Sequence, residues 1–304
     1  MNAPTFRSCW SLMIPALAVL AMVSACLSPA GQAQAAGGKT EEFELRSGLL
    51  KRSYRLYIPS SYNANRPAPL MVALHGGLGT GKSMQEASKL DDDAERAGML
   101  VAYPDGIGRG WNAGTCCGGP MEKNVNDVEF MRNLIADVKA KYAVQAGKVY
   151  GTGFSNGAML LHRVACEAPD IFNAIAPVSG GIMVKDCPAR SGLPVMMVQG
   201  KADNRILWDG GVFDETYRPS MKEIVASLAK RNQCSSSEEV VQRRGVVDCR
   251  KLKSCGGGRD VVWCGLEGVG HQWAGGKTVL PRLLGKSTDE FDTSAEVVKF
   301  FQAH

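Results

Sequence analysis

Gly153-Phe154-Ser155-Asn156-Gly157 fits the pattern G-x-S-x-G. That pattern holds a serine on a sharp turn between a strand and a helix, with its hydroxyl exposed for attack. A serine hydroxyl is a weak nucleophile, so it needs a histidine base that a carboxylate orients. In this setting the chain order is serine, then acid, then histidine. The chain has four histidines. His304 is the last residue, and His75 precedes the serine and closes a strand. His162 shares a helix pattern with Ser155, about 10 Å away along the axis and out of reach. That leaves His271, in the glycine-flanked loop Gly268-Val269-Gly270-His271-Gln272-Trp273.

The acid must lie between Ser155 and His271, after a strand. The apolar run Leu193–Val198 ends at Gln199-Gly200-Lys201-Ala202-Asp203. Asp203 is therefore placed at a strand tip and is favoured over Asp209 and Asp214, which lie deeper in the next loop. The chemistry also needs backbone N–H groups for an oxyanion. One comes from the residue after the nucleophile, Asn156. The other comes from the loop after an early strand, at Gly77 or Leu78. His75 reads as a brace of that loop.

A second glycine motif competes. Gly76–Ser83 fits G-x-x-x-x-G-K-[ST], the phosphate-binding P-loop, and also lies between a strand and a helix. A nucleotide-binding reading further requires a second strand ending in a magnesium-binding acid. Val101–Asp105 is a poor candidate for it. The same glycines have another use, which is to let backbone approach an oxyanion.

Alternating strand and helix patterns position these residues. Glu41–Arg46 and Lys51–Ile58 read as an edge hairpin, and Leu70–Leu74 as a strand buried on both faces. Ser83–Ala97 reads as a helix, Met99–Tyr103 as a strand and Pro104–Asn126 as a long loop. Asp127 caps a helix through Tyr142. A strand at Lys148–Thr152 precedes a helix at Ser155–Ala168. Further strands follow at Asn173–Val178 and Leu193–Val198, then a helix at Arg218–Asn232. Strands near Val240–Val247 and Asp260–Leu266 and a helix at Phe291–Gln302 complete the chain. Such alternation predicts an α/β fold with a mostly parallel central sheet and helices on both faces. Ligands then bind at the carboxyl ends of the strands.

The 304 residues suffice for a core without cross-links, yet ten are cysteines. That surplus points to an oxidising compartment. Residues 1–35 fit a signal peptide: one charge, Arg7, then an apolar run from Met13 to Val23. That run is too short for a transmembrane helix, which takes about 20 residues. Two processing signals compete. Val23-Ser24-Ala25-Cys26 resembles a lipobox that would lipidate Cys26, and Ala33-Gln34-Ala35 is an A-x-A site that would start the mature chain at Ala36. The expected location is secreted or periplasmic, or anchored through lipid on Cys26. A flexible leader would run to residue 40, and residues 41–304 form one catalytic domain.

Eight cysteines outlast either cleavage: Cys116, Cys117, Cys166, Cys187, Cys234, Cys249, Cys255 and Cys264. Their even number suits disulfides, although eight allow roughly a hundred pairings. No C-x-x-C pair occurs, which argues against structural zinc. The net charge of +5 comes without a long basic block, which argues against nucleic-acid binding. Trp111, Trp208 and Trp273 each lie in a loop near a motif. They could stack on a substrate or pack beneath the loops.

These motifs together carry a family likeness. Leu74–Gly77, Tyr103–Gly106, Trp111–Gly118, Asn126–Phe130, Gly153–Met159, Gly200–Gly211 and Gly268–Gly276 recur in order. Over residues 41–304 the chain resembles the extracellular polyhydroxybutyrate depolymerase/feruloyl esterase family of α/β-hydrolases. The resemblance implies Ser155 as nucleophile, Asp203 as acid and His271 as base, without metal or organic cofactor. It also implies a Cys234–Cys255 disulfide, which would leave Cys249 and Cys264 as an extra pair. The chain departs from the family at Gln199 and Lys201, at Ile206-Leu207-Trp208, at Ala274 and at Asn126. These positions border the site and spare the triad.

The expected function is a secreted serine esterase acting on hydroxyalkanoate oligomers or on feruloyl- or acetyl-type esters. Its expected partner is thus a small or oligomeric ester. A peptidase or acyltransferase on the same fold is the neighbouring alternative. A non-catalytic secreted binding protein and a P-loop nucleotide binder are those of other classes.

Overall fold

The computed structural model describes residues 37–185, 187–188 and 192–304. The expected signal peptide, the lipidation candidate Cys26 and the A-x-A site lie outside the described residues. The first half of the fold comprises β1 (Lys39–Ser47), β2 (Leu50–Ile58), β3 (Ala68–Leu74), α1 (Gly81–Ser88), α2 (Leu90–Ala97) and β4 (Leu100–Pro104). Then come α3 (Gly118–Glu122), α4 (Asp127–Lys141), β5 (Val144–Phe154), α5 (Asn156–Glu167), β6 (Ala174–Val178) and β7 (Val195–Gly200). A small hairpin, β8 (Gly211–Phe213) and β9 (Thr216–Arg218), precedes α6 (Met221–Asn232). β10 (Glu238–Arg244), β11 (Val247–Leu252), β12 (Val261–Leu266), α7 (Pro281–Leu284) and α8 (Thr293–Gln302) follow.

Ten strands form one sheet in the order β1-β2-β4-β3-β5-β6-β7-β12-β11-β10. The strands from β4 to β12 in that order are parallel, and each edge is an antiparallel pair. The central strands are mostly apolar where both of their faces are covered. Alternation along β3 shows this directly. Leu70, Val72 and Leu74 join a core with Phe130, Leu161 and Leu228 of α4, α5 and α6. Met71 and Ala73 point the other way, into a core with Met84, Leu90 and Phe301 of α1, α2 and α8.

Four local expectations change. Ser83–Ala97 is not one helix: Lys89 adopts φ 57° and separates α1 from α2. The break puts Asp91, Asp92 and Asp93 in the first turn of α2, where the helix dipole favours acids. Asn126 rather than Asp127 caps α4, accepting the Glu129 N–H at 3.1 Å. Asp127 instead lies buried against Arg52, 2.9 Å away. The segment read as two strands after residue 240 is a three-stranded meander, β10 to β12. Finally, the loop after Asp203 contains the β8–β9 hairpin.

Four disulfides link Cys116 to Cys117, Cys166 to Cys187, Cys234 to Cys255 and Cys249 to Cys264. Cys249 and Cys264 are direct cross-strand partners of β11 and β12. Among the described residues, no helix is long and apolar enough to cross a membrane.

Candidate active site

Ser155 sits between β5 and α5 with φ 53° and ψ −119°. A non-glycine residue is rarely held there, and such strain clusters at functional turns. The turn is kept tight from both sides. The Ser155 N–H donates to the Val178 carbonyl at 2.9 Å, and its own carbonyl accepts the Met159 N–H at 3.0 Å. Gly157 is required by close approach: a Cβ there would lie 2.6 Å from the carbonyl oxygens of Leu74 and His75.

Asp203 and His271 follow β7 and β12, which are neighbours in the sheet. His271 Nδ1 donates to Asp203 Oδ2 at 2.7 Å, and both side chains are buried. The backbone N–H groups of Arg205 and Ile206 each donate to Asp203 Oδ1 at 2.8 Å. The carboxylate is thereby fixed before it meets the histidine. His271 is fixed as well. Its N–H donates to the Leu284 carbonyl at 2.6 Å, and its ring lies 4.6 Å from that of Phe154, the residue before Ser155. Ser155 and His271 line one cavity of about 840 Å³. Asp209 and Asp214, the rival acids, are exposed.

Asn156 opens α5, so its N–H has no partner within the helix. Its side chain holds the preceding loop: Oδ1 accepts the Trp111 N–H at 2.7 Å, and Nδ2 donates to the Trp111 carbonyl at 3.0 Å. The Leu78 N–H is occupied, donating to the Arg109 carbonyl at 2.8 Å. Gly77 lies in the cavity wall, and among the described residues no hydrogen bond uses its N–H. His75 is fully engaged. Its Nδ1 donates to the Gly76 carbonyl at 2.7 Å, and its Nε2 accepts the Gly106 N–H at 2.9 Å. Burial keeps its pKa below the ordinary value and the ring neutral.

The P-loop pattern does not form a phosphate cradle. The Gly81 N–H at the start of α1 donates to Asp105 Oδ1 at 2.8 Å, so a carboxylate already occupies that amide. Lys82 is exposed and faces Glu86. Among the described residues, no cluster of His, Cys, Asp and Glu could hold a metal ion.

Trp111 and Trp208 require correction as substrate-stacking candidates. Trp111 is completely buried, and its indole N–H donates to the His75 carbonyl at 2.8 Å, so it braces the loop and offers no surface. Trp208 packs on Trp263 and Gly265, away from the cavity. Trp273 does line the cavity, but it is 5% exposed and its indole N–H donates to Ser294 Oγ at 3.0 Å. Sequence reasoning missed other residues. Gln272 clamps the segment over the cavity by accepting from the Val279 N–H and donating to the Val279 and Gly285 carbonyls. Gln199, already singled out in the sequence, donates to the Ile206 carbonyl at 2.6 Å and shapes the Asp203 turn. Phe213 and Arg218 reach the cavity from the β8–β9 hairpin. Its short strands carry no apolar alternation long enough to detect.

His162 is fully buried on α5, beside the Gly180 backbone and the Arg231 charge. Burial pushes its pKa down to about 3. In the unfolded chain the ordinary value is about 6.5. Between those limits the unfolded state binds more protons, so stability rises with pH and is lost as pH falls. His162→Leu is expected to flatten this dependence by about 1.4 kcal/mol per pH unit between about pH 4 and 6. Urea unfolding across that range measures it; parallel profiles for the two proteins would refute it.

The sequence pattern described as Esterase PHB depolymerase matches residues 52–262, more than half of the chain. The match includes Ser155 and Asp203 and ends before His271. Feruloyl esterase B of Piromyces equi is 29% identical over 237 residues, which are 72% of this chain and 42% of that protein. The matched part thus spans less than half of that relative. Putative esterase NocK of Nocardia uniformis subsp. tsuyamanensis is 28% identical over 274 residues, 82% of this chain and 78% of that protein. The solved structure of an acetyl xylan esterase from Aspergillus awamori superimposes with a TM-score of 0.58, covering 77% of this chain and 94% of that one. At 17% identity it shows the fold alone, a large, mostly parallel sheet flanked by helices, as in α/β-hydrolases. From the family match and the fold together, the chain belongs to the Esterase PHB depolymerase family.

Proposed function

We propose that this protein is a serine esterase that hydrolyses carboxylic esters through an acyl-enzyme. The observation that carries the reading is the buried Asp203–His271 pair opening into the same cavity as the strained Ser155. His271 Nε2 takes the proton of Ser155 Oγ as that oxygen adds to the ester carbonyl. Asp203 holds the ring by Nδ1 and stabilises the imidazolium. The N–H groups of Asn156 and Gly77 receive the oxyanion, aided by the positive end of α5. Leu78 is set aside because its N–H already serves Arg109.

The tetrahedral adduct collapses, His271 returns the proton to the departing alcohol, and Ser155 is acylated. Water then adds to the acyl carbon, giving a proton to His271, and the acid leaves as Ser155 regains its hydrogen. Apolar Met84, Ile206, Val279, Leu280 and Leu283 suit an aliphatic or aromatic ester. Similarity to a feruloyl esterase supports feruloyl-type esters, beside hydroxyalkanoate oligomers, as candidate substrate classes. The four disulfides support export to an oxidising compartment.

A panel of these esters, with a fluorophosphonate probe and peptide mapping, tests the reading. Hydrolysis of at least one class and labelling confined to Ser155 are expected. Labelling elsewhere, or no hydrolysis of any ester, would overturn it.

A further inference from the structure

Arg218, at the end of β9, lines the cavity that contains Ser155 and is 7% exposed. A buried guanidinium ordinarily pairs with a carboxylate. This one does not. Its Nη1 meets only sulfur, at 3.6 Å from Met159 Sδ and 3.8 Å from Cys116 Sγ. Its Nε is buried without a hydrogen-bond partner. Sulfur is a weak acceptor, so neither contact replaces an anion. Asp214 and Asp203 lie near enough for their charge to counter the burial of Arg218. Among the described residues, neither makes an ion pair or hydrogen bond with it. Asp203 already accepts three hydrogen bonds, from His271 and two backbone N–H groups.

The surroundings share this polarity. Arg109, Arg205 and Lys277 line the same cavity, and among the described residues Asp214 is its only carboxylate. Phe213 lies between two cations, its ring centre 5.3 Å from Arg205 and 5.4 Å from Arg218. Such a wall attracts an anion and holds it in low dielectric, where a bidentate guanidinium–carboxylate pair is strongest. Position is equally specific. Met159, the neighbour of Arg218, is one helical turn beyond Ser155, whose carbonyl accepts its N–H. One turn is about 5.4 Å. Arg218 and Ser155 line the same cavity, so one short substrate can place a carboxylate on Arg218 and a carbonyl at Ser155.

We infer that Arg218 is the anchor for a carboxylate on the substrate, so that short esters bearing a free acid group are preferred over neutral ones. This inference rests on the serine-esterase reading and adds the substrate class. The acid could sit on the acyl part, as in a dicarboxylic half-ester. It could also sit on the alcohol part, as at the acid end of a hydroxyacid oligomer. Guanidinium–carboxylate pairing serves both.

Two matched pairs separate these sources. Monoethyl succinate is compared with ethyl succinamate, and 3-acetoxybutyrate with 3-acetoxybutyramide. In each pair a neutral amide replaces the acid while the cleaved ester is kept. The wild-type protein is expected to favour the acid in at least one pair by roughly 30-fold in kcat/KM, as loss of a desolvated charge pair implies. Arg218→Gln is expected to reduce that ratio to a few-fold, and Arg218→Lys to retain more of it. The wild-type ratios decide the matter even if a variant does not fold: equal rates within both pairs overturn the inference. Neutral esters cleaved without preference would leave the serine-esterase reading standing and remove this one. If no ester is cleaved, calorimetry with Ser155→Ala still decides. Binding of monoethyl succinate that exceeds binding of its amide at least tenfold supports the anchor, and equal or absent binding overturns it.

Discussion

Ser155→Ala is expected to lower kcat for ester hydrolysis by about 10⁴- to 10⁶-fold, the range seen when the nucleophile of a serine triad is removed. The loss should fall on kcat rather than KM, because the hydroxyl forms its bond only as the carbonyl is attacked. Folding should be spared. Ser155 already has positive φ, and alanine meets the same backbone cost there as serine. The melting temperature should therefore stay within a few degrees of wild type. Residual activity above about 1% in a preparation free of wild-type protein would sink the assignment of Ser155, since no other group would then be needed for acylation.

Asp127→Ala is expected to cost about 3–5 kcal/mol of stability, the range for orphaning one partner of a buried ion pair. Arg52 and Asp127 are paired at 2.9 Å with side chains 1% and 0% exposed. Without that carboxylate, the Arg52 guanidinium would remain over the Phe130 ring, 3.7 Å from its centre, without an ion-pair partner in contact. Only the Asp105 carbonyl at 3.3 Å and the more distant Asp105 charge would offset its burial. Asp127 also accepts the Asn112 N–H at 2.8 Å. The adjoining Trp111 backbone is held by the Asn156 side chain, so the loss should reach the oxyanion side of the site. Both a lower melting temperature and a lower kcat are expected. The double variant Arg52→Met/Asp127→Leu should recover much of the stability, since apolar replacement of both ions leaves no orphan. A melting temperature for Asp127→Ala within 2 °C of wild type, roughly the shift of under 1 kcal/mol, would refute the argument.

Motif and period carried much of this site. The G-x-S-x-G spacing placed Ser155 on a strand-to-helix turn, where it lies with φ 53°. Elimination among four histidines pointed to His271, which meets Asp203 at 2.7 Å. Other features escaped because their signals are not local. Nothing in the Trp111 segment shows that Asn156, 45 residues on, fixes its backbone on both sides. The Lys89 break was hidden because apolar spacing continues across it, while Ser88 and Ser294 hold the chain there through a 2.7 Å hydrogen bond. The β8–β9 hairpin is too short for its alternation to stand out, yet it delivers Arg218 to the cavity.

Local sequence set the alternation of strands and helices, the order of serine, acid and histidine, and the strand ends that carry them. Those properties depend on side-chain period and turn chemistry, which act over a few residues. Tertiary structure alone decided which loop acid meets His271, because β7 and β12 are neighbours in the sheet although distant in the chain. Packing also decided that Trp111 is brace rather than surface, that Leu78 has spent its N–H on Arg109, and that Arg218 is buried without an ion-pair partner among the described residues. Burial and hydrogen-bond satisfaction are properties of packed neighbours, and packing is fixed only when distant segments close on one another.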